Sequence, residues 1–456
     1  MGTLAAGRLA SAQTIAAKWG GAHKFGNMLT QCRMTKQIGS AWPQTSANTA
    51  FTSHLQTVLE SPADAVRLIV ANNTNAIPGI FAKATTGPAA GLDPASGTPG
   101  TANADGLTQY NAGTWNSFTW GGASTANLAA GTSATEPAFT VSDWLQQNSQ
   151  VRTDAATQSS LPVHYFRVAL PSSATLYNIP QLAFGSDIYL ATGTWANDVN
   201  TDTIYTQHRI YRSIYQNIDG VTTPTNFTQN TLQCAIPMIV QYATRTRGMT
   251  VMTIGDSITE SSPTPATGFA TECWGWAARA CFAVSTQNFP VELAQFGWGG
   301  QTSAQYTQRF FDLMALNDAS GLPVFLPDVL IYSPFSPNDG TPTQAIINAQ
   351  AYQTARVLAI CQLKGILPII WTAAPNNAYT QAQDAFRQAL NTQIRNMGIT
   401  SDYLIVDFDS VLTNGANPEQ YKSGYSIADG VHPSDIGYGA MAALLQPILQ
   451  AIIGAN

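Results

Sequence analysis

The run Met249-Thr250-Val251-Met252-Thr253-Ile254, followed by Gly255-Asp256-Ser257-Ile258-Thr259, decides the fold of the second half of this chain. The first six residues are a short, mostly apolar run of the kind that forms a buried strand. A helix signal begins directly after Ser257, so the two runs predict a strand that turns into a helix. Because ligands of parallel sheets bind beyond the carboxyl ends of the strands, this junction is a candidate site.

Strand and helix signals alternate from this junction to the end of the chain. Further strands are predicted at 329–332, 366–371 and 403–407. Helices are predicted at 304–316, 346–363, 381–397 and 436–453. Strands that alternate with helices of this length indicate an α/β domain in which helices cover both faces of a parallel sheet.

The chain before about residue 247 has a different, β-rich pattern. Strands are predicted at 65–71, 164–170 and 235–242, and a short helix at 11–19. The stretch 85–137 is crowded with small and polar residues, but its aromatic residues favour ordered loops or short strands over a linker. We therefore predict a β-rich domain over 1–246, with an irregular N-terminal segment, and an α/β domain over 247–456.

The composition limits the partners and the compartment of the protein. Only 10% of the 456 residues are charged, against about 25% in an average protein, and the net charge is −6. No basic stripe exists, which excludes nucleic acid as a partner. The uncharged surface is typical of extracellular, cell-envelope or virion-associated proteins, and it also suits subunit contacts in an oligomer. We expect no membrane span, and we expect a signal peptide to be absent or already removed.

The five cysteines do not form a recognisable framework. Their number is odd and their spacing irregular, so no disulfide pattern is predicted. The spacings that bind zinc are missing as well, and we expect neither a metal nor a cofactor.

A serine, a histidine and a carboxylate stand in two short motifs near the ends of the α/β half. Ser257 belongs to the first motif, and Asp429-Gly430-Val431-His432-Pro433 is the second. His432 is the only histidine of this half, so it is the candidate base for the Ser257 hydroxyl. Asp429, three residues earlier, can bond the imidazole Nδ1–H and fix its tautomer. These three residues predict a nucleophilic acyl-transfer site.

At this point the sequence resembles the SGNH/GDSL hydrolase family, from about Arg247 to the C-terminus. The motifs around Ser257 and His432 are similar to the family's first and last blocks. The run 296–302 is similar to the second block, which implies that the N–H of Gly300, or alternatively of Gly299, helps to bind an oxyanion. The run 327–339 is similar to the third block and implies the same role for the Asn338 amide. The implied fold is a flavodoxin-like, three-layer αβα domain.

Two positions depart from the family's blocks, and both could reshape the mouth of the site. Glu260 follows Ile258-Thr259 where the family often has glycine, and Ser336 stands two residues before Asn338, where glycine is usual. Trp298 and Phe335, aromatic residues next to these blocks, are predicted to contact substrate. The preceding β-rich part resembles, more loosely, the jelly-roll β-sandwich domains of some carbohydrate esterases.

The resemblance implies a serine esterase with a Ser-His-Asp triad, which hydrolyses acetyl or other short acyl esters through an acyl-enzyme. The resemblance favours an acylated polysaccharide as the substrate. One alternative is a lipase or arylesterase that acts on small or lipid esters. Another is a glycan-binding or virion attachment protein with an inactive hydrolase domain. Transfer of the acyl group to an alcohol instead of water is also open.

Overall fold

The structure is a computed structural model of the protein. It describes residues 25–33, 35–36, 51–72, 76–85, 115–131, 137–146, 150–153, 160–170, 182–183, 212–216, 228–229, 238–261, 275–400 and 403–455. The helix predicted at 11–19, Cys234 and Cys273 lie outside these residues.

The described residues contain twenty strands and seven α-helices. The strands are β1 Met28–Arg33, β2 Thr35–Lys36, β3 Phe51–Val58, β4 Ala65–Asn72, β5 Ile77–Thr85, β6 Trp115–Ser117, β7 Ala126–Leu128, β8 Ala138–Val141, β9 Leu145–Gln146, β10 Gln150–Thr153, β11 Ser160–Leu170, β12 Leu182–Ala183, β13 Arg212–Gln216, β14 Thr228–Gln229, β15 Met238–Ala243, β16 Met249–Gly255, β17 Val291–Gly297, β18 Val329–Tyr332, β19 Leu367–Trp371 and β20 Leu404–Val406. The helices are α1 Ser257–Glu260, α2 Trp276–Val284, α3 Ser303–Ala315, α4 Gln344–Lys364, α5 Gln381–Thr400, α6 Phe408–Leu412 and α7 Asp435–Gly454.

Five parallel strands from the C-terminal half lie side by side in the order β20-β19-β18-β16-β17. Every residue of β16, β17, β18 and β19 is buried, as expected for strands covered on both faces. Val329 and Ile331 of β18 belong to a core shared with α2 and α7, whereas Leu330 and Tyr332 belong to a core shared with α3 and α4. The predicted α/β domain with helices on both faces of a parallel sheet is therefore confirmed.

The same sheet continues into strands from the N-terminal half. β17 pairs in parallel with β1, in the register Cys32 with Ala294. β1 pairs antiparallel with β15, β15 with β4, and β4 with β8 and β9. The sheet is therefore mixed, and it crosses the boundary predicted at 246/247. The division of the chain into two domains stays a prediction.

A second sheet is built from the N-terminal half alone. Its strands lie in the order β14-β13-β3-β11-β5-β6, with β10 beside β11 and β7 beside β5. Apolar side chains of β5 and β11 share one core with side chains of β4 and β15 from the larger sheet. Strands predicted at 65–71 and 164–170 correspond to β4 and to part of β11.

Helix α7 closes the chain. By length and composition α7 could cross a membrane, since its mean hydropathy is 1.5, but the core helices of soluble proteins can be equally long and apolar. Its Tyr438, Met441, Leu445 and Leu449 are buried in the core that it shares with α2. These contacts are those of a core helix, and they place the loop before α7 at the edge of the sheet.

Candidate functional site

Ser257 lies at the start of the one-turn helix α1, directly beyond the carboxyl end of β16. The Asp256 carboxylate caps this helix and accepts a hydrogen bond of 2.9 Å from the Ile258 N–H. A side chain at Gly255 would overlap the Thr259 side chain, so the tight turn from strand to helix requires glycine there. Ser257 itself is buried, with 8% of its surface exposed.

The loop before α7 brings His432 and Asp429 to Ser257. The imidazole Nε2 lies 2.8 Å from the Ser257 Oγ, and Nδ1 lies 2.6 Å from the Asp429 Oδ2. The second carboxylate oxygen, Oδ1, accepts the N–H groups of Val431 and His432 at 2.9 and 3.0 Å. With a proton on Nδ1, Nε2 is free to accept the hydroxyl proton of Ser257. The three residues that the sequence singled out are therefore in contact.

The electrostatics of Asp429 favour its charged form. Partial burial raises the pKa of this carboxyl, but the N–H groups of His432 and Val431 and the imidazole outweigh burial and hold the pKa below its usual value. The carboxylate is therefore ionised at neutral pH. An ionised Asp429 fixes the orientation of the ring and stabilises the imidazolium form.

The 429–432 loop is held in place by the loop that follows β19. The Asn377 N–H donates to the Gly430 carbonyl at 2.9 Å, and the Asn377 side-chain oxygen accepts the Tyr421 N–H at 2.9 Å. The Tyr421 hydroxyl in turn donates to the Val431 carbonyl at 2.8 Å. Gly430 has a φ of 67°, a left-handed conformation that favours glycine.

The turn at 298–301, directly beyond β17, lies beside Ser257. A hydrogen bond of 3.3 Å from the Gln301 N–H to the Trp298 carbonyl closes this turn, in which Gly300 has a φ of 80°. The N–H of Gly299 donates to the Glu260 carboxylate at 2.5 Å. In the described part of the chain, the Gly300 N–H has no acceptor. Of the two glycines, Gly300 is therefore the one whose N–H remains free.

Asn338 lies in a one-turn 3₁₀ helix, Pro337–Asp339, beyond β18. Its Nδ2 is 3.0 Å from the Gln301 carbonyl oxygen and 3.2 Å from the Ser336 Oγ, and these two oxygens are 2.9 Å apart. The three distances give an angle of about 56° at Nδ2, whereas the two N–H bonds of an amide diverge by about 120°. Because both oxygens lie on one side of Nδ2, one N–H can serve both, and the other is then left for a further acceptor.

Asp339 ties this 3₁₀ turn to two helices. Its carboxylate accepts the N–H of Ser303, at the start of α3, at 2.8 Å and the N–H of Ser336 at 3.0 Å. It also accepts the side-chain amide of Gln350, from α4, at 3.1 Å. Burial raises the pKa of Asp339 above its usual value, although the hydrogen bonds from Ser336 and Ser303 oppose this shift. Asp339 therefore fixes the turn that carries Asn338.

Trp298 and Phe335 do not line the site, which corrects the prediction that they contact substrate. Trp298 is 1% exposed, and the Arg309 guanidinium covers its ring at 4.8 Å from the ring centroid. Phe335 is 4% exposed and packs on Ile347 and other core residues. An aromatic residue between glycines can turn inward as readily as outward, and the sequence alone does not distinguish the two.

Both departures from the family's blocks have buried roles that the sequence did not indicate. Glu260 is 1% exposed, and its carboxylate holds the Gly299 N–H instead of shaping the mouth of the site. The next residue, Ser261, has a left-handed backbone, with a φ of 69°. Ser336 is 0% exposed and contacts Asp256 as well as Asn338.

Among the described residues, no group of histidine, cysteine, aspartate and glutamate side chains is arranged to hold a metal ion. The three cysteines that the structure describes, Cys32, Cys281 and Cys361, are buried and form no disulfide bond with one another.

Residues 253–440 match the sequence model of the GDSL-like lipase/acylhydrolase family. The C-terminal half of this chain is an SGNH/GDSL hydrolase domain. A domain of this family makes the protein a carboxylic ester hydrolase, as predicted. A search of the curated proteins found no match.

Solved structures of GDSL-type hydrolases are similar to the same half of the chain. A putative lipolytic protein from Desulfitobacterium hafniense is 19% identical, with a TM-score of 0.34, over 44% of this chain and 99% of its own. A GDSL-like lipase from Bacteroides thetaiotaomicron is 21% identical, with a TM-score of 0.33, over 46% and 89%. A variant of an acetyl-xylooligosaccharide esterase from Geobacillus is 16% identical, with a TM-score of 0.34, over 45% and 94%.

Proposed function

We propose that the SGNH/GDSL domain hydrolyses esters through a Ser257-His432-Asp429 triad and an acyl-enzyme. The observation that carries this proposal is the continuous chain of contacts from Ser257 Oγ to His432 Nε2 and from His432 Nδ1 to Asp429, at 2.8 and 2.6 Å. These are hydrogen-bond distances that need no rearrangement before proton transfer.

In the first half of the reaction, His432 takes the hydroxyl proton as Ser257 Oγ attacks the ester carbonyl. The resulting oxyanion accepts from the Ser257 N–H, the Gly300 N–H and the free N–H of the Asn338 amide. His432 then gives its proton to the leaving alcohol, and the acyl group remains on Ser257. In the second half, water attacks the acyl-enzyme, loses its proton to His432 and releases the acid as the proton returns to Ser257.

The choice of oxyanion donors rests on which N–H groups already have acceptors within the protein. The Gly299 N–H is bound to Glu260, which favours Gly300 as the backbone donor of the 298–301 turn. Asn338 uses one N–H to anchor itself and has one left. Loss of a single donor is expected to lower kcat by about 10²–10³-fold.

The substrate we propose is a short acyl ester of a carbohydrate, with acetyl as the first candidate. The contacts of Ser257 and of the loops around it involve small or polar residues, namely Gly299, Gly300, Asn338 and Asn377, and the aromatic residues Trp298 and Phe335 are buried. Such a surface offers a hydrated sugar several hydrogen bonds, and a long acyl chain little apolar area. For the β-rich half we propose a jelly-roll-like β-sandwich, which either binds glycan or forms one wall of the site.

Hydrolysis of p-nitrophenyl esters of rising chain length, beside acetylated polysaccharides, tests both parts of the proposal. Acetyl esters are expected to be cleaved faster than octanoyl esters, and Ser257→Ala is expected to abolish turnover. Undiminished hydrolysis by Ser257→Ala would contradict the assigned nucleophile. A preference for long acyl chains would instead support a lipase, and would contradict the carbohydrate substrate.

A further inference from the structure

One hydroxyl group, that of Ser336, touches all three segments that form the proposed oxyanion site. Its Oγ lies 2.5 Å from the Asp256 Oδ2, in the residue directly before the nucleophile. It lies 2.9 Å from the Gln301 carbonyl oxygen, which ends the 298–301 turn. It also lies 3.1 Å from the Asn338 N and 3.2 Å from the Asn338 Nδ2. The residue is fully buried, so solvent does not compete for these contacts.

With Asp256 ionised, the donors and acceptors around Ser336 allow one complete arrangement. The hydroxyl has one proton and two lone pairs. If the proton goes to the Asp256 carboxylate, both lone pairs face Asn338 and accept its backbone N–H and its side-chain N–H. The Gln301 carbonyl then accepts from Asn338 Nδ2, and every group is satisfied. If the proton goes to Gln301 instead, the buried Asp256 Oδ2 loses this donor.

We propose that Ser336 is a positioning residue, through which the Asp256 carboxylate orients the Asn338 amide for the oxyanion. Asp256 polarises the hydroxyl, the hydroxyl holds one N–H of Asn338 against the Gln301 carbonyl, and the second N–H is thereby aimed into the site. This inference rests on the proposed esterase function, because it assigns Ser336 a role only through Asn338. It also gives a purpose to the serine at this position, since a glycine would leave Asp256 and Asn338 unconnected.

The proposal predicts a specific kinetic signature. An oxyanion forms only in the transition state, so a misaligned donor lowers kcat and leaves KM unchanged. Ser336→Ala is expected to lower kcat about ten-fold, which is less than complete loss of the donor, because Asn338 keeps its bond to Gln301. A role confined to folding would instead lower the thermal midpoint and the active fraction, without this split between kcat and KM.

A double-mutant cycle tests the connection between Ser336 and Asn338. Asn338→Ala alone is expected to lower kcat by about 10²–10³-fold, and Ser336→Ala is expected to have no further effect in the Asn338→Ala background. Equal losses in both backgrounds would overturn the proposal, because Ser336 would then act elsewhere. An unchanged kcat of Ser336→Ala in the wild-type background would overturn it as well.

Ser333→Ala is the matched control for removal of a buried hydroxyl from the same loop. Its Oγ donates to the Phe335 carbonyl at 2.8 Å and touches none of the site residues, so kcat should be unchanged. The outcomes also separate this proposal from the proposed function. If Ser257→Ala and Asn338→Ala lose activity and Ser336→Ala does not, only the role of Ser336 is overturned. If Ser257→Ala or Asn338→Ala stays fully active, the proposed mechanism fails and the role of Ser336 fails with it.

Discussion

Replacement of Gly430 by alanine should lower activity by moving the 429–432 loop, an effect that can be measured apart from the loss of fold stability. Gly430 has a φ of 67°, which costs an L-residue about 1–2 kcal/mol. An alanine Cβ would also lie 2.6 Å from the Asn377 Cβ, where carbon atoms normally approach to about 3.5–4 Å. Relief of this overlap requires the 429–432 loop to move by about 1 Å. A misplacement of that size is expected to lower kcat/KM about 10²-fold.

Gly424→Ala provides the matched control for this experiment. Gly424 lies in the same connection between α6 and α7 and has a φ of 78°, but no atom lies within 4 Å of the position of its Cβ. Backbone strain should cost both variants about 1–2 kcal/mol of unfolding free energy in urea, and Gly430→Ala loses more because of the overlap with Asn377. Only Gly430→Ala should lose kcat/KM on p-nitrophenyl acetate. Equal activity of the two variants would refute the inference that contact with Asn377 sets the position of His432.

Three further substitutions test the charge, the core and the corrected aromatic residue. Asp429→Asn is expected to lower kcat about 10³–10⁴-fold in the same assay, because an amide cannot stabilise the imidazolium; near-normal kcat would argue against the triad. Since the pKa of Asp429 is lowered in the folded protein, its contribution to stability is present above its usual pKa and is lost as pH falls through the folded value. Circular dichroism during acid titration should therefore show a shallower loss for Asp429→Asn. The Arg387 guanidinium lies 2.5 Å from the buried Asp384 carboxylate and 2.6 Å from the buried Asp409 carboxylate. Arg387→Ala removes this partner from both carboxylates and should cost about 3–5 kcal/mol of unfolding free energy in urea. The exposed Arg356→Ala should cost under about 1 kcal/mol, and similar losses for both arginines would be unexpected. Trp298→Phe should lower the unfolding free energy by about 1–3 kcal/mol and leave KM unchanged. A raised KM would instead support contact between Trp298 and the substrate.

Local signals in the sequence were sufficient to locate most elements of the α/β half and to single out Ser257, His432 and Asp429, which the structure places in contact. Apolar runs and helical periodicity located β16, β18, β19 and the long helices, because these signals arise within a few residues of one another. Ser257 and His432 could be paired because each follows a strand or precedes a helix at the carboxyl edge of one parallel sheet. Asp429 could be predicted as the partner of His432 from its spacing alone, since it stands three residues earlier.

The supporting contacts of the site could not be predicted in this way. The partners of Glu260 and Ser336 lie 39 and 80 residues away in the sequence, at Gly299 and Asp256. The residues next to Glu260 and Ser336 in the sequence give no indication of these distant partners. The burial of Trp298 is likewise a property of the packing between β17 and α3. Departures from a family pattern therefore identified the right positions, but only the structure supplied their function.

The position of β1 decides how the two halves of the chain depend on each other. Without β1, strand β17 would be the edge of the parallel sheet, and its buried Glu292 would lose hydrogen bonds. Glu292 accepts from the Gln31 side chain at 3.1 Å, the Tyr242 hydroxyl at 2.8 Å and the Glu60 N–H at 2.9 Å, all from the N-terminal half. A buried carboxylate deprived of such donors is strongly destabilising. The 298–301 turn begins where β17 ends, so the strands that satisfy Glu292 also support the turn that offers the Gly300 N–H. The β-rich half is therefore connected to the site through the sheet itself.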